Sequence, residues 1–148
     1  MSVVNLEILS GITAIPDNLF RNMNLYYLET LTLPATLETI GDEAFSQVGR
    51  SSTAPLDITF PASLKIIGNG AFVNSGVTSI SFAPSSTLTT IGNTAFYGAV
   101  ELTGAITFPA SLKTIDFSAF NGCSNINSIS FETGSTLTTI GNNAFTDC

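Results

Sequence analysis

The sequence has no histidine and no tryptophan, and only four of its 148 residues are basic. Histidine is the commonest general base and metal ligand in proteins, so its absence removes the usual basis for acid–base catalysis. The four bases are isolated from one another, whereas binding to a phosphate backbone needs clustered Lys and Arg. With a net charge of −7, we predict a non-enzymatic protein without a cofactor or metal that does not bind nucleic acid.

Long apolar runs are also missing. No run approaches the ~18 residues of a transmembrane helix, so we expect no insertion into a membrane. Residues 1–7 lack the positive and apolar regions of a secretory signal. The two cysteines are too few to indicate a disulfide scaffold. Only 10% of the residues are charged, so the surface must consist mainly of Ser, Thr, Asn and Gly, which resist self-association less well than charged residues.

A short motif recurs along the whole chain: leucine, two residues, isoleucine, three residues, then alanine and phenylalanine. Full copies run from Leu37 to Phe45, Leu64 to Phe72, Leu88 to Phe96, Leu112 to Phe120 and Leu137 to Phe145, and a looser copy runs from Ile12 to Phe20. The closing phenylalanines are 24 to 27 residues apart. A fixed period of this length predicts a repeat solenoid, here one domain of about six coils over residues 1–148.

Each coil is predicted to be mainly β. Alternating apolar and small polar residues, as in Ile106-Thr107-Phe108, are typical of a short strand with one buried face. A nearby proline such as Pro109 would end the strand. After Leu-x-x-Ile a glycine bends the chain, and the Ala-Phe segment is predicted to form a turn of 3₁₀ or α-helix whose amino end Asp42 and Glu43 would stabilise. The inward phenylalanines would stack into a spine.

These repeats resemble the BspA-type, or Treponema pallidum-type, leucine-rich repeat. The resemblance covers essentially the whole chain and is carried by strings such as Phe108 to Ile115 and Ala119 to Ile129. It implies a curved solenoid with a parallel strand ladder on the concave side. It also implies an extracellular or cell-surface protein that acts in adhesion. Ile15 to Phe20 is a degenerate copy, and we recognise no capping module at either end.

The two ends of the chain match one another. Val3, Leu6 and Ile8 have the apolar spacing that would continue the last coil beyond Cys148, and the repeat spacings counted across such a junction total 148. We therefore expect copies to stack head to tail into a homopolymer, each adding roughly 28 Å at the ~4.7–4.9 Å strand spacing. The predicted interface consists of Val3, Leu6, Ile8, Phe20, Ile140, Phe145 and Cys148. The alternative is a fragment whose repeats simply end there.

Two further sets of residues have open interpretations. Outward positions of the strands form a nearly uncharged face of Thr30, Thr32, Asp57, Thr59, Ser79, Ser81, Thr107, Ser128 and Ser130. These hydroxyls either bond locally and to water, or bind a host or matrix protein or a glycan, with Tyr26, Tyr27 and Tyr97 as candidate anchors. Cys123 and Cys148 occupy equivalent positions in successive coils. We interpret them as packing thiols, with a disulfide as the alternative.

Overall fold

A computed structural model describes residues 4–21 and 23–148. It shows a parallel β-solenoid in which each coil has one long and one short strand. The long strands are β1 (Val4–Glu7), β3 (Leu28–Thr32), β5 (Leu56–Phe60), β7 (Val77–Phe82), β9 (Thr103–Phe108) and β11 (Asn125–Phe131). The short strands are β2 (Ala14–Ile15), β4 (Thr39–Ile40), β6 (Ile66–Ile67), β8 (Thr90–Ile91), β10 (Thr114–Ile115) and β12 (Thr139–Ile140). The predicted repeat solenoid is confirmed.

The long and short strands pair differently. The short strands form one continuous six-stranded parallel sheet in the order β2-β4-β6-β8-β10-β12. The long strands pair only as β1-β3, β5-β7 and β9-β11, so their parallel ladder is interrupted twice. The longest loop connects β4 to β5. In this loop Ser51 N–H donates to Tyr26 O in the 3₁₀ turn Leu25–Tyr27. In β9, Gly104 has a φ of +84°, which departs from an extended strand.

The core is built around the predicted phenylalanine spine. Successive rings from Phe20 to Phe145 are stacked, with centroid distances of 5.0 to 5.4 Å and interplanar angles of 4° to 13°. The four central members, Phe45, Phe72, Phe96 and Phe120, are fully buried. A second row of rings from the long strands packs edge-on against them, as Phe60 does on Phe72 at 5.9 Å. Each coil therefore buries its aromatic face only by stacking on its neighbours.

The predicted helical turns are wrong. In the described residues the Ala-Phe segments are consecutive hydrogen-bonded turns, and the one 3₁₀ turn lies at Leu25–Tyr27. The residue before each alanine has a positive φ, +52° at Glu43 and +53° at Thr94, which a right-handed helix excludes. The reason lies in the solenoid: these N–H groups donate to the next coil, as Glu43 N–H does to Asn69 O at 2.8 Å.

Asp42 and Glu43 also join coils, so their expected role at a helix end is wrong. Asp42 Oδ1 accepts the backbone N–H of Asn69 at 2.7 Å, and Glu43 pairs with Arg21 at 2.8 Å. The same ladder continues as Asn69 Oδ1 accepts Asn93 N–H at 2.9 Å. A glycine precedes this position in most coils, where neighbouring coils approach closely, although the coil of β10 has Asp116 instead. At Gly68 a Cβ would lie 2.7 Å from the backbone of Gly41.

Candidate binding surfaces

The long-strand face consists of the outward side chains of β1, β3, β5, β7, β9 and β11. Its hydroxyls bond across strand pairs: Thr59 to Ser81 at 3.0 Å and Thr107 to Ser130 at 2.9 Å. In the first pair, Thr30 Oγ1 donates to Asn5 Oδ1 at 2.7 Å. The predicted binding residues Thr32, Ser79 and Ser128 lie on the same face. The local hydrogen bonding predicted for this face is therefore present, and the face is ordered by its own side chains.

The charge on this face is of one sign. The described parts of the six long strands contain Glu7, Glu29 and Asp57 but no Lys or Arg. All three acids lie on β1, β3 and β5, so the negative charge is confined to the first half of the face. The bases that do form ion pairs, Arg21 and Lys65, pair with Glu43 and Glu38 outside the long strands. The first half of the face is thus complementary to a cationic partner.

A groove lies where the ladder is interrupted between β3 and β5. It has a volume of about 510 Å³. One part is polar and includes Thr32, Asp57 and Thr59. The other part is apolar and lies where both strands turn into their loops. Its lining residues are Leu31, Leu33, Ala35, Pro61, Ala62 and Ala83. Sequence reasoning identified the polar residues but missed the groove, because its lining comes from segments that no local pattern connects.

Asp57 is held at the polar part of the groove by the neighbouring strand. Its Oδ1 accepts hydrogen bonds from Thr78 Oγ1 at 2.8 Å and Ser79 Oγ at 2.6 Å. Within the described residues, neither an ion pair nor a bond to Oδ2 is formed by this carboxylate. The strand side chains therefore fix its orientation and leave one oxygen open to a partner.

The residues of the predicted head-to-tail interface differ in exposure between the two ends. At the last coil Ile140 is 53% exposed, Cys148 is exposed and Phe145 is half-buried. At the first coil Leu6 and Ile8 are half-buried and Phe20 is 9% exposed. Val3 lies outside the described residues. Of the predicted interface residues, those of the last coil are therefore the more exposed, while the first coil exposes other apolar side chains, Leu9, Ile12, Leu19 and Met23.

The backbone hydrogen-bonding groups of the two ends are largely complementary. Ser118, Phe120 and Gly122 donate their N–H groups to the following coil at 2.8 to 3.0 Å. The equivalent donors in the last coil are at residues 143, 145 and 147, and none has a partner in the described residues. The matching acceptors in the first coil are the carbonyls of residues 17, 19 and 21. A second copy placed in register would therefore satisfy three donors.

Coil 1 departs from the repeat at two positions. In later coils the residue after the short strand, a glycine in all but one of them, donates backward, as Gly41 N–H does to Ile15 O at 2.8 Å. Coil 1 has Pro16 at this position, which has no N–H. Leu19, which is 46% exposed, replaces the fully buried alanine of the other coils, such as Ala44. Sequence reasoning recognised the copy as degenerate but missed the lost donor.

Both cysteines are free thiols. Burial, with a smaller contribution from the nearby Cys148, raises the pKa of Cys123 from its ordinary value of 9.0 to about 12. Burial also raises the pKa of Cys148. Each thiol donates to a carbonyl of the preceding coil at 3.1 Å, Cys123 to Phe96 O and Cys148 to Phe120 O. This geometry is that of packing thiols.

The three tyrosines predicted as anchors are at least partly accessible. Tyr26 and Tyr97 are exposed and Tyr27 is half-buried, so all three could contact a partner. Within residues 4–21 and 23–148, no group of His, Cys, Asp and Glu side chains is arranged to hold a metal ion. No helix in that part of the chain has the length and apolar character needed to cross a bilayer.

Known proteins share this repeat and this solenoid architecture. The sequence profile of the BspA type leucine rich repeat region matches six copies over residues 1–58 and 52–148. The chain is similar in structure to a T. pallidum leucine rich repeat protein, with a TM-score of 0.72 and 20% identity over 99% of this chain and 77% of that one. It is also similar to a leucine rich cell surface protein from Faecalibacterium prausnitzii, with a TM-score of 0.62 and 23% identity. That match covers 86% of this chain and about a third, 32%, of the other. No curated protein matches its sequence.

Proposed function

This chain belongs to the BspA-type leucine-rich repeat family, and we propose that it is a non-enzymatic protein-binding module that acts in adhesion at a cell surface. The observation that carries this proposal is the long-strand face, where rows of small polar side chains from the six long strands surround an open groove. Such a face offers many hydrogen-bonding groups at fixed positions and little charge to desolvate, which suits contact with another protein.

The proposal is tested with an array of purified extracellular proteins probed with the 148-residue chain. A Thr59→Arg, Thr107→Arg double variant, with one substitution in each half of the face, would obstruct the long-strand face. A Thr146→Arg variant, at an exposed position in a turn away from the long strands, is the control. We expect binding to at least one protein, lost in the double variant and kept in the control. Absence of binding throughout, or equal binding by all three chains, would contradict the proposal.

Head-to-tail stacking into a filament is a second candidate function. Two observations favour it. The last coil exposes Ile140, and three of its N–H groups, which have no partner in the described residues, match three carbonyls on the first coil. Pro16 and Leu19 oppose a seamless junction, because the Ile140 carbonyl would lack a donor and Leu19 would meet Ala144 in place of a second alanine. We therefore expect weak, concentration-dependent stacking.

Sedimentation velocity over a wide concentration range tests the stacking. Ile140→Lys should abolish association by placing a charge on the apolar end face. Val100→Lys is the matched control, because Val100 is 48% exposed but lies on the flank of a central coil. Pro16→Gly should strengthen association, because it restores the missing donor. A monomer at every concentration in the parent chain and in Pro16→Gly would exclude stacking.

A further inference from the structure

We propose that the groove between β3 and β5 binds an extended polypeptide segment that presents a basic side chain to Asp57 and an apolar side chain to the apolar part of the groove. This inference rests on the proposed protein-binding function and adds the location of the site and the chemistry of the partner. It follows from three features that meet only here on the described long-strand face: an open carboxylate, an apolar recess and two strand edges that are not paired with each other.

The basic side chain is inferred from charge. Asp57 has one carboxylate oxygen without a partner in the described residues, and its other oxygen is held by Thr78 and Ser79. Glu29 lies on the adjacent strand β3 and Glu7 on β1, while the long strands contribute no base in the described residues. A Lys or Arg side chain would therefore meet a fixed acceptor within a negative field. A neutral or acidic segment would gain neither contribution.

The apolar side chain is inferred from the other part of the groove. Leu33 is half-buried, and Pro61, Ala62 and Ala83 leave a recess beside it at the ends of the strands. The small alanine side chains leave room for a branched aliphatic residue of the partner. No aromatic ring lines the groove in the described residues, so it lacks the flat apolar surface on which a sugar ring packs. The lining therefore favours a polypeptide over a glycan.

The extended conformation is inferred from the geometry of the strands. Asp57 and Pro61 lie four residues apart along the β5 direction, which corresponds to about 13 Å at ~3.3 Å per residue. An extended segment has the same rise and shows alternate side chains on one side, so residues i and i+4 would reach the two parts of the groove together. The segment would lie along the outward side chains of β3 and β5, which are not paired with each other.

The probe is an 11-residue Ser/Thr peptide with Arg and Leu four positions apart. Three comparison peptides replace Arg by Glu, replace Leu by Ser, or place Arg and Leu next to each other. We expect the probe to bind weakly by isothermal titration, with affinity that falls as salt rises from 50 to 500 mM. Each comparison peptide should bind at least fivefold more weakly. Amide shifts on a ¹⁵N-labelled chain should change at the non-proline residues of 31–35 and 57–62 and at Ala83.

Variants of the protein complete the test. Asp57→Asn keeps the shape of the side chain and should weaken binding of the probe about tenfold. The matched control Glu101→Gln neutralises an acid that does not line this groove, and it should change affinity less than twofold. Ala35→Gln, at an exposed position, should weaken binding by filling the apolar part.

The proposal fails if no peptide binds at millimolar concentration, if Asp57→Asn binds as the parent does, or if a panel of neutral oligosaccharides shifts the same amides and the peptides do not. Shifts confined to β9 and β11 would overturn the groove and leave the protein-binding function standing. Failure of the protein array, with intact peptide binding, would instead overturn the adhesive function and leave the groove standing.

Discussion

The phenylalanine spine predicts a gradient of stability from the middle of the solenoid to its end, which Phe96→Ala and Phe145→Ala test. Phe96 is fully buried and stacks on Phe72 at 5.2 Å and on Phe120 at 5.0 Å. Replacing a buried phenylalanine with alanine lowers the free energy of unfolding by about 3–5 kcal/mol. Loss of two stacked pairs, worth about 0.5–1.5 kcal/mol each beyond area burial, places Phe96→Ala at the upper end of that range.

Phe145→Ala should cost much less. Phe145 is half-buried and has one stacked neighbour, Phe120 at 5.4 Å. About half the burial and one stacked pair give a loss of about 2 kcal/mol. A domain of this kind has about 5–15 kcal/mol of total stability, so the terminal variant should stay folded.

Urea unfolding followed by far-UV circular dichroism measures both losses. Because each coil contacts only its neighbours, Phe96→Ala should also uncouple the two halves of the solenoid and lower the urea dependence of the transition. Phe145→Ala should shift the midpoint and leave the slope unchanged. Equal losses in the two variants, or a greater loss at Phe145, would refute the argument that stacking between coils holds the fold together.

Three other predictions follow from the thiols and the glycines. In the native chain we expect Cys148 to react with a thiol reagent at pH 8 and Cys123 to react only in denaturant; rapid labelling of both would contradict the buried position of Cys123. The folded pKa of Cys123 is raised from 9.0 to about 12, so folding favours the neutral thiol over the thiolate. The free energy of unfolding should be unaffected below pH 9 and fall by about 1.4 kcal/mol per pH unit between pH 9 and the folded pKa. Cys123→Ala, compared with the parent chain by urea titration at pH 8 and 10.5, should lack that loss. Gly68→Ala should destabilise the chain by about 3 kcal/mol or more, because its Cβ would overlap the backbone of the preceding coil. Gly134→Ala, with open space around it and a φ of +81°, should cost about 1 kcal/mol by the same assay.

The fold was predictable because its signal is repeated. Leucine and isoleucine at fixed intervals before Phe45, Phe72 and Phe96 report the same buried positions several times, so chance matches are averaged out. The long strands follow from alternation and their ends from proline, as Pro61 shows directly after β5. The stacked spine follows from the period alone, since equal spacing places equivalent side chains above one another.

Features that depend on contacts between coils could not be predicted in the same way. The segment at Asp42 to Phe45 has the composition of a helix start, but the N–H groups of Glu43 and Phe45 bond to the next coil at 2.8 Å, and this tertiary contact overrides local preference. The groove at Asp57 depends on two strands that do not pair. Its apolar lining comes from residues as far apart as Leu33 and Ala83, which no local pattern connects.

The difference between the two ends of the solenoid follows from the way its coils stack. A repeat that buries its core only against its neighbours makes every coil a template for the next, and the last coil shows this in Ile140 and its unpartnered N–H groups. A head-to-tail contact joins two different surfaces, so a change on either one is enough to weaken it. Pro16 removes a donor without leaving an unsatisfied group on coil 1, and Leu19 enlarges the one position where every other coil has alanine. If copies stack as we propose, we expect these two substitutions in coil 1 to limit the strength of self-association more than the apolar area of the last coil does.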